Sequence, residues 1–191
     1  MNVINKTFKI QIIKEVIFMT NFLKINRIKK LFGAILILGS SYISYTKVFD
    51  IKKDVLRKGI DTSFKCWMPM NSITDKTSKQ YALIKNAKPM NYGIANYQNH
   101  YLVALGKRYG EIGDEVSITL DTGVILQVLI GDFKKTSETI GWGLHPISKN
   151  RNCMLEFIVD PHLIAPNVKS SGDLSSIYPG QIVKIENKRL K

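Results

Sequence analysis

The stretch "SITLDTGVILQVLIGDF", residues 117–133, contains two apolar runs separated by a short polar turn. Asp121-Thr122-Gly123 has the residue types of a tight hairpin turn, because Asp tolerates turn geometry and Gly adopts positive φ. The same tripeptide also occurs in aspartic proteases, but that chemistry needs two carboxylates that share a proton, and this chain has one copy. We therefore predict a β-hairpin with Asp121 as a turn residue.

Further short apolar or alternating runs, bounded by Gly and Pro, predict a mainly β domain. They are YLVALG (101–106), EVSITL (115–120), VILQVLIG (124–131), MLEFIVD (154–160) and GQIVKIEN (180–187). No long amphipathic helix is predicted after residue 60, and residues 166–177 predict one helical turn. Strands at this spacing favour a small closed barrel over a parallel α/β sheet.

The positive charge of the chain is concentrated near its N-terminus. The net charge is +13, and residues 1–58 contain 12 Lys/Arg against 3 Asp/Glu, which is +9. Residues 59–191 contain 16 against 12, which is only +4. A nucleic-acid binder would carry its basic residues on the folded domain, so we expect no nucleic-acid partner.

An apolar segment follows this basic head. Residues 1–30 end in two lysines, and residues 31–49 contain one charged residue, Lys47. Positive residues before an apolar run keep that end in the cytoplasm and send the following chain out. The segment predicts a transmembrane anchor. It is shorter than the usual 20 or so residues, so a cleaved signal peptide and a buried or surface helix remain alternatives.

This interpretation divides the chain into four parts. Residues 1–30 are a cytoplasmic head, residues 31–49 the membrane segment, residues 50–62 a charged linker and residues 63–191 the β domain. We expect a single-pass protein of the cell membrane with its C-terminal domain outside the cytoplasm, or alternatively a secreted protein. The start (Met1 or Met19) and the oligomeric state are left open.

The cysteines and histidines show no metal-binding pattern. Cys66 and Cys153 lack metal-ligand spacing, and His100, His145 and His162 do not cluster with them in the sequence. We expect no metal and no cofactor. Both cysteines are interpreted as small buried hydrophobic residues, although a disulfide is chemically allowed outside the membrane.

Asp132 is the stronger candidate for chemistry. It ends a nearly unbroken apolar strand, directly after Gly131. A carboxylate beside apolar walls has a raised pKa through desolvation, and a general acid requires this property. The alternative is an aspartate that caps a turn through residues 134–136.

The order of these motifs resembles that of double-psi β-barrels. Leu105-Gly106 is followed by IGDEVSI (112–118), by the hairpin and by VLIGD (128–132). This order is similar to that of expansins, barwin, rare lipoprotein A and the three-aspartate cell-wall domains related to membrane-bound lytic transglycosylase A.

A closer resemblance covers about residues 63–187. SITDKTSKQYALIKNA (72–87), LIGDFKKTSET (129–139), LEFIVDPHLI (155–164) and GDLSSI (172–177) look like a group of extracytoplasmic double-psi barrel proteins of Gram-positive bacteria and their phages. The resemblance implies an all-β domain, a six-stranded double-psi β-barrel, behind an N-terminal membrane-anchor helix. It also implies peptidoglycan as the partner.

The three-aspartate pattern matches this chain in part. Asp132 matches the second aspartate, and Glu156 stands where the third would fall. Asn99 and His100 occupy the region of the first. The resemblance implies Asp132 as the acid that protonates the glycosidic oxygen, and Glu156 as a group that raises its pKa or orients it. Alternatively, Glu156 is a paired or outward-facing carboxylate.

Aromatic residues are candidates for sugar binding. Tyr101, Trp142 and His145 are expected to line a sugar groove, because aromatic rings stack on sugar faces. For Trp142 the alternative is a core residue under its loop, and for His145 a solvated turn residue. The two functions left open are lytic-transglycosylase-like cleavage of peptidoglycan, and non-catalytic binding of the cell wall or of an envelope, phage or mobile-element assembly partner.

Overall fold

The computed structural model of the protein describes residues 44–149 and 151–190. The strands are β1 (Ser44–Asp50), β2 (Lys65–Pro69), β3 (Lys88–Pro89), β4 (Ala95–Tyr97), β5 (His100–Leu105), β6 (Glu115–Leu120), β7 (Ile125–Phe133), β8 (His145–Pro146), β9 (Asn152–Cys153), β10 (Leu155–Val159) and β11 (Ile182–Leu190). The helices are α1 (Ile51–Asp54), α2 (Lys79–Asn86) and α3 (Pro166–Ser171). Turns of 3-10 helix are at Leu56–Lys58, Met70–Ser72, Asn91–Gly93, Lys107–Tyr109, Thr136–Glu138 and Gly141–Gly143.

Most strands join one mixed sheet in the order β1-β11-β6-β7-β5-β10-β2, with β4 paired to β5 and β3 to β4. Strands β5 and β7 are parallel, as are β10 and β2, and the other pairs of this sheet are antiparallel. Strands β8 and β9 form a separate antiparallel pair. The predicted mainly β class is confirmed, because each predicted run from residue 101 onward overlaps a strand.

The hairpin predicted at residues 117–133 is confirmed. Strands β6 and β7 are antiparallel, and the N–H of Leu120 donates to the carbonyl of Val124 over 2.8 Å. Gly123 has φ of 85°, which suits glycine in the turn. Asp121 exchanges two hydrogen bonds with Gln181, one through its backbone N–H and one through Oδ1, each 2.9 Å long. Asp121 is thus a structural residue that fastens the turn to the start of β11.

The sheet has two differently covered faces. One face carries the larger core cluster, which includes Val103, Ile130 and Phe157. The other face carries a smaller cluster, in which Ile84 of α2 packs with Leu102, Leu129, Ile158 and Ala95. Helix α2 therefore covers part of this second face.

Helix α2 was not predicted, since eight residues are too few for a clear helical period. Its start has a local cause. The hydroxyl of Ser78 accepts a hydrogen bond from the N–H of Tyr81 over 3.1 Å, which caps the helix. The single helical turn expected within residues 166–177 is present as α3.

The folded unit begins earlier than predicted, at Ser44 instead of residue 63. Residues 44–49, assigned from the sequence to the membrane segment, belong to β1 and pair with β11. Ile51 and Val55 of the expected linker are fully buried. Residues 1–43, with the basic head and most of the predicted anchor, lie outside the described residues. Among the helices that the structure describes, none is long and apolar enough to cross a membrane.

Candidate functional site

Asp132 and Glu156 lie in one row across the sheet. Ala104 of β5 pairs with Asp132 on one side and with Glu156 on the other, and Glu156 also pairs with Cys66 of β2. Side chains of directly paired residues lie on the same face. Two strand spacings separate the Cα atoms of the two carboxylate residues by about 9.6 Å. Ala104 between them is buried, with 1% of its surface exposed.

A bulge in β7 sets this arrangement. The register runs from Val103 with Ile130 to Ala104 with Asp132, so that Gly131 is skipped. In a regular strand, Asp132 would face the same side as Ile130, toward the larger core cluster. The extra residue turns Asp132 to the face of Ala104. A Cβ at position 131 would lie only 2.8 Å from the Cδ1 atom of Ile158, so glycine permits this packing.

Asp132 is a half-buried carboxyl group with two donors. The N–H of Phe133 donates to its Oδ1 over 2.8 Å, and the side chain of Gln80 on α2 donates a second hydrogen bond. Burial raises the pKa of Asp132, and these two hydrogen bonds oppose the rise. The protonated form therefore persists to higher pH than in an exposed aspartate, which suits a proton donor.

Glu156 is also partly buried, and burial is the main cause that raises its pKa. The side chains of Lys134 and His145 oppose this rise, while the charges of Asp132 and Glu138 add to it. The charge of Asp132 therefore makes Glu156 harder to ionise.

Lys134 is a member of the site that the sequence analysis missed. Its side chain is 7% exposed, and its Nζ donates to the carbonyl of Cys153 over 2.8 Å and contacts the Sγ of Cys153 at 3.2 Å. Burial lowers the pKa of Lys134 to about 8, and the charge of Glu156 opposes this shift. The only sequence signal for Lys134 is its position two residues after Asp132.

A disulfide lies beside the row of Asp132, Ala104 and Glu156. Cys66 of β2 and Cys153 of β9 are bonded, with their Cα atoms 5.9 Å apart. Cys153 is fully buried and Cys66 is partly buried, so the structure replaces the interpretation of two separate small hydrophobic residues. Cys66 pairs with Glu156 and Cys153 contacts Lys134, so the crosslink joins a neighbour of Glu156 to a neighbour of Lys134.

His145 joins this group as the first residue of β8. It pairs with Cys153 in the β8–β9 ladder and is close enough to Glu156 to lower the pKa of that carboxyl group. Three of the five predicted site residues, Asp132, Glu156 and His145, are thus brought together.

Contacts with Tyr109 and Arg108 orient Trp142. Its backbone carbonyl accepts a hydrogen bond from the hydroxyl of Tyr109 over 2.8 Å. The guanidinium of Arg108 lies 3.7 Å from the centre of its ring. One face of the indole is therefore already covered by a cation, and Trp142 packs against the larger core cluster.

Tyr101 lies on the opposite face of the sheet from the carboxylates. It is three residues before Ala104 in the regular strand β5, and strand side chains alternate between the faces. Its ring contacts those of Phe157 and Tyr178, with centroids 6.2 and 6.0 Å apart. The structure does not place Tyr101 beside Asp132.

Two cavities flank helix α2. One, of about 500 Å³, lies between α2 and the segment after β2; the other, of about 280 Å³, lies between α2 and Tyr97. The described residues that line them do not include Asp132 or Glu156. Within the described ranges, no group of three or more His, Cys, Asp or Glu side chains is arranged to hold a metal ion.

Comparisons with protein-family models, with curated proteins and with solved structures found no match to this chain.

Replacing Lys134 with Met is expected to remove a pH-dependent gain in folding stability. The pKa of Lys134 is about 8 in the folded protein against an ordinary 10.5, so the unfolded chain binds more protons between these values. Stability of the native protein therefore rises with pH across this window. In the Lys134→Met variant, the free energy of unfolding should rise by about 1–3 kcal/mol less across this window, since one pKa unit corresponds to about 1.4 kcal/mol. Urea unfolding of the native protein and of the variant, at pH values near the two ends of this window, measures the difference.

Lys65 offers a matched control. It is fully buried, donates to two backbone carbonyls and also has its pKa lowered to about 8 by burial. In Lys65→Met the pH-dependent rise in folding stability should be smaller by a similar amount, and the group around Glu156 should be unaffected. Only Lys134→Met should raise the pKa of Glu156 further in an NMR titration. An unchanged Glu156 pKa in that variant would show that the two groups do not interact.

Proposed function

We propose that the protein cleaves peptidoglycan glycan strands by a lytic-transglycosylase-like reaction, with Asp132 as the general acid. One observation carries the proposal: Asp132 and Glu156 stand on either side of Ala104, on one face, and the pKa of each is raised. Glycosidic-bond cleavage uses a general acid whose pKa is raised, with a second carboxyl group near it.

The reaction assigns a role to each group. Asp132 donates its proton to the glycosidic oxygen as the C–O bond breaks, and a hydroxyl of the same sugar attacks the anomeric carbon to form an anhydro ring. Glu156, across Ala104 from Asp132, accepts the proton that the attacking hydroxyl releases. Lys134 stabilises the ionised form of Glu156.

The proposal includes a double-psi β-barrel domain outside the cytoplasmic membrane, anchored by a segment that includes residues 31–43. The parallel pairs β5–β7 and β10–β2 within a largely antiparallel sheet support this fold, because parallel pairs require crossover connections. The disulfide supports an oxidising location. Reporter activity outside the membrane, from a fusion after Lys191, tests the location.

The test of function is incubation of the purified full-length chain with peptidoglycan in ¹⁸O-labelled water, followed by mass analysis of the soluble products. Lytic cleavage should release anhydro products without ¹⁸O, because the sugar's own hydroxyl is the nucleophile. Products with one ¹⁸O would indicate a hydrolase instead. Absence of soluble products would contradict cleavage altogether.

The positions of two aromatic residues count against cleavage and so favour a second candidate, non-catalytic cell-wall binding. Tyr101 lies on the face opposite the carboxylates, and Arg108 covers a face of Trp142. The stacking surface expected beside the acids is therefore not formed by these two residues. Sedimentation of the protein with purified sacculi, without product release, would support this candidate over the enzyme.

A further inference from the structure

The larger cavity beside helix α2 has the features of a ligand site. Its volume of about 500 Å³ is within the range of about 300–1,000 Å³ that small-ligand sites occupy. Tyr81, Ile84 and Lys85 reach it from α2, since positions three and four apart share a helix face. Met70 and Ile73 contribute apolar surface from the facing segment.

Positive charge surrounds this apolar floor. Lys76 and Lys85 are both exposed and both line the cavity, and none of the described lining residues is acidic. Asp75, beside Lys76 in the sequence, accepts hydrogen bonds from the N–H and the hydroxyl of Thr77 at 2.9 and 2.7 Å. The cavity therefore offers two cations to an acidic ligand.

Hydrogen bonds within the protein hold the wall of the cavity in place without a ligand. The hydroxyl of Ser72 donates to the carbonyl of Pro69 over 2.7 Å, and the N–H of Ser78 donates to the carbonyl of Asp75 over 3.1 Å. Ser78 then caps α2. Such preformed walls reduce the entropy cost of ligand binding.

The cavity and the carboxylates share two structural elements. On α2, Gln80 hydrogen-bonds Asp132 while the next residue, Tyr81, lines the cavity. Cys66 of β2 is in the row of the carboxylates, and Met70, which directly follows β2 and is four residues later, lines the cavity. At about 3.3 Å per residue, this is a distance of about 13 Å. A ligand extending from the row into the cavity would span a similar length.

We propose that this cavity binds an acidic peptide with small apolar side chains, and that it receives the stem peptide of the glycan strand whose sugar lies at Asp132. The identity of the peptide rests on the proposed function. A peptide satisfies all the lining groups: its carboxylates pair with Lys76 and Lys85, its methyl groups contact Met70 and Ile84, and its amides face polar side chains such as Thr74. A poly(glycerol phosphate) chain lacks the apolar groups, and a fatty acid lacks the amides.

The test uses isothermal titration of the full-length chain with the synthetic pentapeptide N-acetyl-Ala-γ-D-Glu-Lys-D-Ala-D-Ala, whose acetyl group replaces the amide link to the sugar and leaves its two carboxylates in excess over its one lysine. A second peptide has both carboxylates converted to amides. The acidic peptide should bind about tenfold more tightly than its amidated form, because the two lost ion pairs with exposed lysines together weaken binding by about this factor. Equal affinity of the two peptides would overturn the proposal.

Lysine variants locate the site. Lys76→Gln with Lys85→Gln should weaken binding of the acidic peptide by about tenfold or more. The matched control is Lys79→Gln with Lys88→Gln, which removes the same charge from exposed lysines that do not line this cavity. Equal loss in both variants, or tighter binding of decanoate or poly(glycerol phosphate) than of the peptide, would contradict the proposal.

The outcome separates this site from the catalytic proposal. Asp132→Asn should retain peptide binding, because Asp132 does not line the cavity. If the native protein binds the peptide but releases no soluble products, only the proposed catalytic function is overturned. Cleavage of peptide-free glycan at the same rate as intact peptidoglycan, without pentapeptide binding, would overturn only the peptide site.

Discussion

Asp132→Asn is expected to reduce release of soluble products from peptidoglycan by about 10²–10⁴-fold, the usual contribution of general acid catalysis. Asparagine keeps the shape and still accepts the hydrogen bond from the N–H of Phe133, but it has no carboxyl proton to donate. Product release measured by mass spectrometry gives the rate. The melting temperature should remain level or rise, because the partly buried carboxylate no longer has to ionise.

The matched control for this variant is Asp121→Asn. Asp121 is an exposed turn residue whose Oδ1 accepts the N–H of Gln181, and asparagine can make the same bond. Its activity and stability should therefore remain close to those of the native protein. Full activity of Asp132→Asn would remove Asp132 as the acid, and Glu156→Gln would then be the next variant to examine.

Loss of the Cys66–Cys153 disulfide is expected to lower the free energy of unfolding by about 2–5 kcal/mol. The bond joins residues 87 positions apart, so it strongly restricts the unfolded chain. The double variant Cys66→Ala with Cys153→Ala should show this loss in urea unfolding. Its activity should also fall, because Cys66 pairs with Glu156 and the carbonyl of Cys153 accepts from Lys134.

A reducing agent provides the control for the disulfide. It should destabilise the native protein by a similar amount and leave the double variant unchanged, because that variant has no bond to reduce. If the reducing agent leaves the native unfolding curve in place, the two cysteines do not form a bond that stabilises the fold in solution.

Much of the fold was predictable from local patterns. Strands β5, β6, β7, β10 and β11 follow apolar or alternating runs that end at Gly, Pro or polar residues, and the hairpin at Asp121 follows turn chemistry that depends on neighbouring residues alone. The other strands, β1–β4, β8 and β9, were not predicted. β1 occupies the end of an apolar segment that also suits a membrane, and β2 carries the buried Lys65 within a short run.

For the candidate site, the sequence alone identified single residues, and the tertiary structure decided which of them meet. The position of Asp132 at the end of an apolar strand predicted its raised pKa, since desolvation follows from neighbouring apolar residues. Its pairing across Ala104 with Glu156 depends on strand order and on the bulge at Gly131. A one-residue change of register moves a side chain to the other face, and no local pattern records it.

The same reason explains the remaining differences. Tyr101 lies away from the carboxylates because of strand alternation, and Lys134 and Cys153 meet because β7 and the β8–β9 pair are brought together by the fold. Local residue patterns were sufficient to predict the hairpin, the longer apolar strands and the candidate acids Asp132 and Glu156. Only the tertiary structure determined the charged group around Glu156, because contacts between residues distant in the chain depend on how the strands are ordered and covered.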